Sequence, residues 1–362
     1  MSANKNLWLK KVAPELRDKK DGKRILIYAD RSICGQNELI CKAINTHTRH
    51  MARSAIAMGD YLDYPDGDMV LRPNKPENAG QPPIKWDQDI EAFEEAAELT
   101  ETADFFHVIR TVPQLPSVDW QKILRSDNCV FQYFGSVLRQ QKDLCVAAMV
   151  QNGFKAIGAW DYSMIARHGL NTEFEMYYHI PMMFDGSTIE PREPLKKGSI
   201  RTICHAPTNR ETKRTELFLS IMKEMDYPYD LIEAVPNDEC LRRKRKAQIC
   251  FDSANPDQGC YGQTAMESMA MGQVVLCGMN QFAYSIYPHG CPIIPVTEET
   301  LEERIKEVLA MPPDLLAELG AQGVKWVAEH HNPEIIVRQY AHIYSLIMNG
   351  SRNVTSAMED MI

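Results

Sequence analysis

No apolar run in this 362-residue sequence approaches the ~20 residues that a membrane-spanning helix requires, so no span is expected. The opening stretch MSANKNLWLKK lacks an apolar h-region and a small-residue cleavage site, which reads against a secretory signal. None of the ten cysteines forms a C-x-x-C pair. Cys204, Cys250 and Cys277 sit in apolar runs, where a thiol behaves as a small hydrophobe. The expectation is a reduced, cytoplasmic compartment, no structural zinc and no other metal site. G-x-G-x-x-G is missing, which excludes the usual dinucleotide fingerprint, and there is no short-period repeat or low-complexity tract. Basic residues are in deficit, 40 against 49 acidic for a formal net charge of −9, which argues against a generic nucleic-acid binder.

What is present is ordinary for a folded chain: 44% hydrophobic and 25% charged residues, at a length that suggests two domains. The charge is uneven. Residues 1–24 carry eight basic and three acidic residues. A solvated, partly helical tail is expected there, with peripheral contact to an anionic membrane surface or a phosphate backbone as the alternative.

In the first half, RILIYAD (24–30) reads as a buried strand, followed by a loop with Gly35 and by a helix over LICKAINTHTRHMARSAIAMG (39–59). The proline-rich stretch 65–86 reads as a surface loop. Residues 87–104, with eight acids and no basic residue, read as an amphipathic helix with Ile90, Phe93, Ala96 and Ala97 inward. Short apolar runs at 105–110, 129–135, 155–161 and 175–185 alternate with helical patterns, which implies a mostly parallel sheet. The polar stretch 186–198 marks a boundary.

The alternation then starts afresh. Strands are expected at 200–206, 229–235, 248–254, 273–278 and 292–296. Helices are expected at 209–225, 237–247, 264–271, 298–309, 314–330 and 333–348. The basic run Arg242–Lys246 reads as the solvated face of a helix. The chain thus divides into 1–190, 199–335 and a final helical segment 336–362.

Two strand-to-helix turns carry the chemistry: HAPTNRETKRTE (205–216) and DQGCYGQTAMESMAMG (257–272). In a parallel sheet both fall at the C-terminal edge, where open α/β sheets bind ligands. Thr208 with Glu211 and Thr264 with Glu267 have capping-box spacing. Two helix N-termini converging on one crevice suit a diphosphate, with Gly259 and Gly262 permitting close backbone approach. Arg210, Lys213 and Arg214 crowd a helix N-terminus, against the macrodipole, a cost that a bound polyanion offsets.

These residues resemble a known family. Asn209-Arg210-Glu211-Thr212-Lys213 and GCYGQTAMESMAMGQVVLCG resemble the nucleotide-binding domain of glycosyltransferase family 4 over about 200–280. Ala103-Asp104-Phe105-Phe106-His107-Val108 is similar to a strand of its first domain. The resemblance implies an α/β GT-B fold, two Rossmann-like domains with mostly parallel sheets facing across a cleft, with the final helical segment 336–362 returning towards the first domain. It also implies retaining transfer of a sugar from a nucleotide-sugar donor, which is a substrate and not a resident cofactor, without metal at the phosphates.

Carried across, Arg210 and Lys213 grip the diphosphate and Glu267 bonds the ribose hydroxyls. The amides of Gln263 and Thr264, beside Gly262, bind the distal phosphate, and Val235 meets the base. His205 and Asn209 are further donor-contact candidates, and Gly35, His107, Gly135 and Arg139 are candidates for acceptor contact. Gly259 stands where the family has a glutamate for the donor sugar. Asp257 as a substitute, a different donor sugar and lost catalysis are the open consequences. The acceptor is open among glycan, lipid-linked glycan, protein and modified DNA base. The alternatives to a transferase are a nucleotide-sugar epimerase and a catalytically silent sugar-nucleotide-binding subunit.

Overall fold

The computed structural model describes residues 3–60, 62–72, 88–112, 115, 117–125, 127–133, 143, 147, 156–159, 176–179, 181–196, 198–255, 260–280 and 290–350. The chain forms two compact units, one of residues 1–183 with 333–362 and one of residues 184–332.

The first unit is built on seven parallel strands in the order β3-β2-β1-β4-β5-β6-β7. These are β1 (Arg24–Arg31), β2 (Met51–Met58), β3 (Met69–Arg72), β4 (Phe105–Ile109), β5 (Cys129–Tyr133), β6 (Ala156–Ala159) and β7 (Met176–His179). Both faces of β1, β4 and β5 are buried, which is why they read as continuous apolar runs. Helices α1 (Ala3–Trp8), α2 (Gln36–His47), α3 (Ile90–Thr102) and α4 (Trp120–Ile123) accompany them.

The single helix expected over 39–59 is instead α2 followed by β2. MARSAIAM is apolar enough for either state, and pairing along β1 decides for strand. That strand buries Arg53, with 1% of its side chain exposed, which Asp68 and Glu95 neutralise. Ile90, expected inward, is 68% exposed, because Asp89 caps α3 and leaves Ile90 as its first residue.

Residues 1–24 are not a solvated tail. Trp8 is fully buried in the first core, with its indole N–H bonded to Thr102, and Val12 is buried beside it. Lys10, Lys11 and Arg24 pair with Glu95, Asp68 and Asp104.

The second unit has five parallel strands in the order β12-β11-β10-β8-β9. They are β8 (Ile203–His205), β9 (Tyr229–Leu231), β10 (Ile249–Ser253), β11 (Val274–Cys277) and β12 (Ile294–Pro295). The helices are α5 (Arg210–Lys213), α6 (Thr215–Glu224), α7 (Asn237–Lys244), α8 (Gln263–Ala270), α9 (Leu301–Ala310) and α10 (Pro313–His330). The helix expected at 209–225 is broken in two, because Arg214 takes a left-handed φ of 58°. Phe218, Phe251, Leu276 and Leu301 centre the second core.

The last helix, α11 (Pro333–Met348), packs on α2 and β5 within the first unit. Two doubly wound parallel sheets on one chain are the GT-B fold.

Candidate functional site

Strand order fixes where the second unit can hold a ligand. The chain runs from β8 outward to β9, then returns across β8 to β10, so the order reverses between β8 and β10. Connections at such a reversal leave the sheet on opposite faces and open a crevice at the carboxyl ends of the two strands. The two turns singled out from the sequence follow β8 and β10.

The structure brings these turns together. Lys213, on the single turn α5, reaches Oδ1 of Asp252 at 2.6 Å. Asn255 Nδ2 donates to the Thr212 carbonyl at 3.2 Å. Thr264 Oγ1, on α8, approaches the Ala206 carbonyl at 3.5 Å. Asp252 is fully buried. Burial alone would push its carboxyl up, but the Lys213 ammonium outweighs burial and holds it below the ordinary carboxylate value. Arg210 stays half exposed and pairs with Glu216 at 2.8 Å and Glu233 at 2.7 Å.

Neither capping box forms. Asn209 caps α5, its side chain accepting from Thr212 N–H at 2.8 Å. Gly262, not Thr264, is the N-cap of α8, and no side chain caps that helix. With φ at −116°, Gly262 does not need to be glycine for its backbone, and nothing described lies within 4 Å of where a Cβ would sit. The first amides of α8 belong to Gln263 and Thr264 and carry no side-chain cap. The turn α5 is too short to add a comparable dipole.

Glu267 lies on α8 and is 2% exposed, paired at 2.8 Å with Lys244. Lys244 is fully buried, so the run 242–246 is not simply a solvated face. Burial opposes the Lys244 charge, and Glu267 more than restores it, raising the ammonium above its usual value.

Other candidates lie elsewhere. His205 is fully buried, with Nδ1 on the Phe251 carbonyl at 2.9 Å and Nε2 on Thr215 Oγ1 at 2.8 Å. His107 is fully buried in the first unit between Tyr344 Oη (2.6 Å) and Gln132 Oε1 (2.7 Å). Both histidines spend both ring nitrogens on the protein, and burial lowers each to about 4. Both are packed side chains whose ring nitrogens are already bonded within the protein. Val235 lies beyond β9, which ends at Leu231, in the connection to α7. Gly35 is the left-handed N-cap of α2, φ 70°. Asp257, Gly259, Gly135 and Arg139 lie outside the described residues.

Sequence reasoning missed Asp252 and Lys244. Asp252 stands in an apolar strand run, where an acid signals a buried partner. Lys244 stands in a basic run that hides one inward position in five. Among the described residues no cluster of three or more His, Cys, Asp or Glu has a metal-holding arrangement. None of the described helices is long and apolar enough to cross a membrane.

No protein-family model and no curated protein matches the sequence. Solved structures do resemble the fold. HepE from Anabaena, in complex with UDP and glucose, aligns with a TM-score of 0.60 at 13% identity, covering 90% of this chain and 100% of HepE. A glycosyltransferase from Rickettsia africae aligns with a TM-score of 0.59 at 11% identity, covering 90% and 99%. Sucrose-phosphate synthase from Thermosynechococcus elongatus aligns with a TM-score of 0.55 at 12% identity, covering 91% and 100%.

Proposed function

We propose that the chain is a glycosyltransferase that takes its sugar from a nucleoside diphosphate sugar, with retention at the transferred carbon. The observation that supports it most is the joining of two strand-to-helix turns where the strand order reverses, one carrying Lys213 and the other the uncapped N-terminus of α8.

The donor diphosphate would lie over Gly262, taking hydrogen bonds from the Gln263 and Thr264 amides and charge from Lys213. Arg210 would exchange its glutamate partners for a phosphate. Glu267 would accept from the ribose, and the backbone at Val235 would meet the base. HepE is solved with UDP-glucose, which makes UDP sugars the first donors to examine.

The chemistry asked of these groups is electrostatic. The bond from the sugar's anomeric carbon to the diphosphate breaks, and one to an acceptor oxygen forms on the same face. The acceptor's proton passes to the departing phosphate. Fixed donors and positive charge at that phosphate stabilise the charge as it develops.

The acceptor is identified through its product, so the test joins two measurements. Calorimetric titration with nucleoside diphosphates should give saturable binding of at least one. Mass spectrometry of glycan, lipid, protein and DNA acceptors incubated with its sugar should show an added hexose-like mass. No binding of any nucleotide overturns the proposal. Binding without turnover reduces it to a silent sugar-nucleotide subunit.

A further inference from the structure

We infer that Lys244 is a positioning residue of the donor site, holding Glu267 so that its carboxylate and the Gln263 amide oxygen offer paired acceptors to the neighbouring hydroxyls of a ribose. The inference deepens the proposed function and rests on it.

Lys244 ends α7 and sends its side chain under the start of α8. Its Nζ donates to Glu267 Oε2 at 2.8 Å and to the Thr264 carbonyl at 2.9 Å. Gln263 Nε2 donates to Glu267 Oε1 at 3.1 Å. One ammonium and one amide therefore hold both carboxylate oxygens and the first turn of the helix that would carry the phosphate amides.

Stability does not explain the arrangement. A buried ion pair recovers little more than its desolvation cost, and apolar residues of the same volume usually do as well. The side chains of Lys244 and Glu267 are 0% and 3% exposed, so that cost applies in full.

A second observation points to a ligand. Gln263 Oε1 is buried and has no hydrogen-bond partner among the described residues. A buried acceptor without a donor is unfavourable until something supplies one. It belongs to the residue after Gly262, at the uncapped start of α8. What is lacking there is a donor. Phosphate oxygens at neutral pH only accept, whereas a sugar's hydroxyls donate, so acceptors at this point select the ribose and leave the phosphates to the amides.

The test compares UDP with 2′,3′-dideoxy-UDP by calorimetry on the full chain. The wild type should prefer UDP by about tenfold to a hundredfold, as expected for hydrogen bonds to a charged acceptor. Lys244→Met and Glu267→Gln should each cut that preference to a few-fold, whatever change either makes in affinity for the dideoxy nucleotide. The double variant should lose no more than either single one. Should Lys244→Met fail to fold, Lys244→Gln and the apolar pair Lys244→Met with Glu267→Met carry the same comparison. A Lys244 variant that keeps the full preference overturns the inference, whatever its melting temperature. A wild type that binds UDP without preferring the ribose overturns it and leaves the proposed function standing. A wild type that binds no nucleotide overturns both.

Discussion

Lys213 Nζ and Asp252 Oδ1 stand 2.6 Å apart, and the carboxylate side is fully buried. The pair ties the turn after β8 to the end of β10. It also means that the lysine assigned to the diphosphate already has one anionic partner. An ammonium has three donors, so a phosphate can join the pair without displacing it.

Lys213→Ala should therefore do two things. It should lower stability by about 3–5 kcal/mol, because it leaves a buried carboxylate without its countercharge. It should also weaken donor binding. Arg210→Ala removes an exposed side chain, so it should weaken donor binding while the unfolding midpoint stays where it was. Urea titration and calorimetry of both variants separate the two effects. Equal stability loss in both would contradict the burial contrast.

Gly262→Ala isolates the phosphate approach from the fold. The φ of −116° suits alanine, and the added methyl meets nothing described within 4 Å. Stability should change by no more than about 1 kcal/mol, since alanine caps a helix less well than glycine but restricts the unfolded chain more. Donor affinity should drop, and Gly262→Val should lower it further. Full affinity in Gly262→Val would move the donor away from α8.

The buried histidines set a pH dependence. Burial holds His107 and His205 at about 4 in the folded chain, against 6.5 as the ordinary value. The unfolded chain thus takes up protons as pH falls below 6.5 while the folded chain does not. Stability should decline from pH 6.5 towards pH 4, by about 3 kcal/mol for each histidine. Asp252 acts in the same direction lower down. Its carboxyl lies below 3.8, so its contribution is present above that pH and goes as pH falls through its folded value. Melting curves from pH 8 to pH 4 should show the decline, and His107→Gln should flatten it. An unchanged slope in that variant would mean that His107 is protonated in the folded chain.

The strand-and-helix alternation was legible because each central strand is apolar on both faces, and the two turns of the site were legible because they break that alternation with polar residues. What stayed hidden depends on long-range partners. MARSAIAM becomes a strand only beside β1, and Arg53 is tolerable there only because Asp68 and Glu95 come from distant segments. The basic arm has the local pattern of a tail, yet Trp8 anchors it and acids far along the chain take its charge. The same holds for His107. Its strand position was visible, but its partner Tyr344 lies 237 residues away. In the site, the capping boxes failed because the helices start elsewhere, after Asn209 and after Gly262, and Glu267 pairs with Lys244 instead.

The glycine that closes the second motif has a structural task. Gly272 follows α8 with φ 79°, and the Gly272 and Gln273 amides bond back to the Met269 and Ser268 carbonyls, the Schellman ending of a helix. That turn lets α10 come close. A Cβ on Gly320 would lie 2.2 Å from the Gly272 carbonyl oxygen, a contact with backbone that no rotamer relieves. Gly320→Ala must push α10 away from α8 and should cost about 1–3 kcal/mol as overpacking, despite alanine's better helix propensity. Ala321→Gly, on the exposed side of the same helix, should cost only about 1 kcal/mol through propensity. Because α8 carries the amides assigned to the phosphates, Gly320→Ala should also weaken donor binding, and Ala321→Gly should not. Chemical unfolding and nucleotide titration of the two variants side by side decide whether the closeness of these helices, rather than helix content, holds the donor site in place.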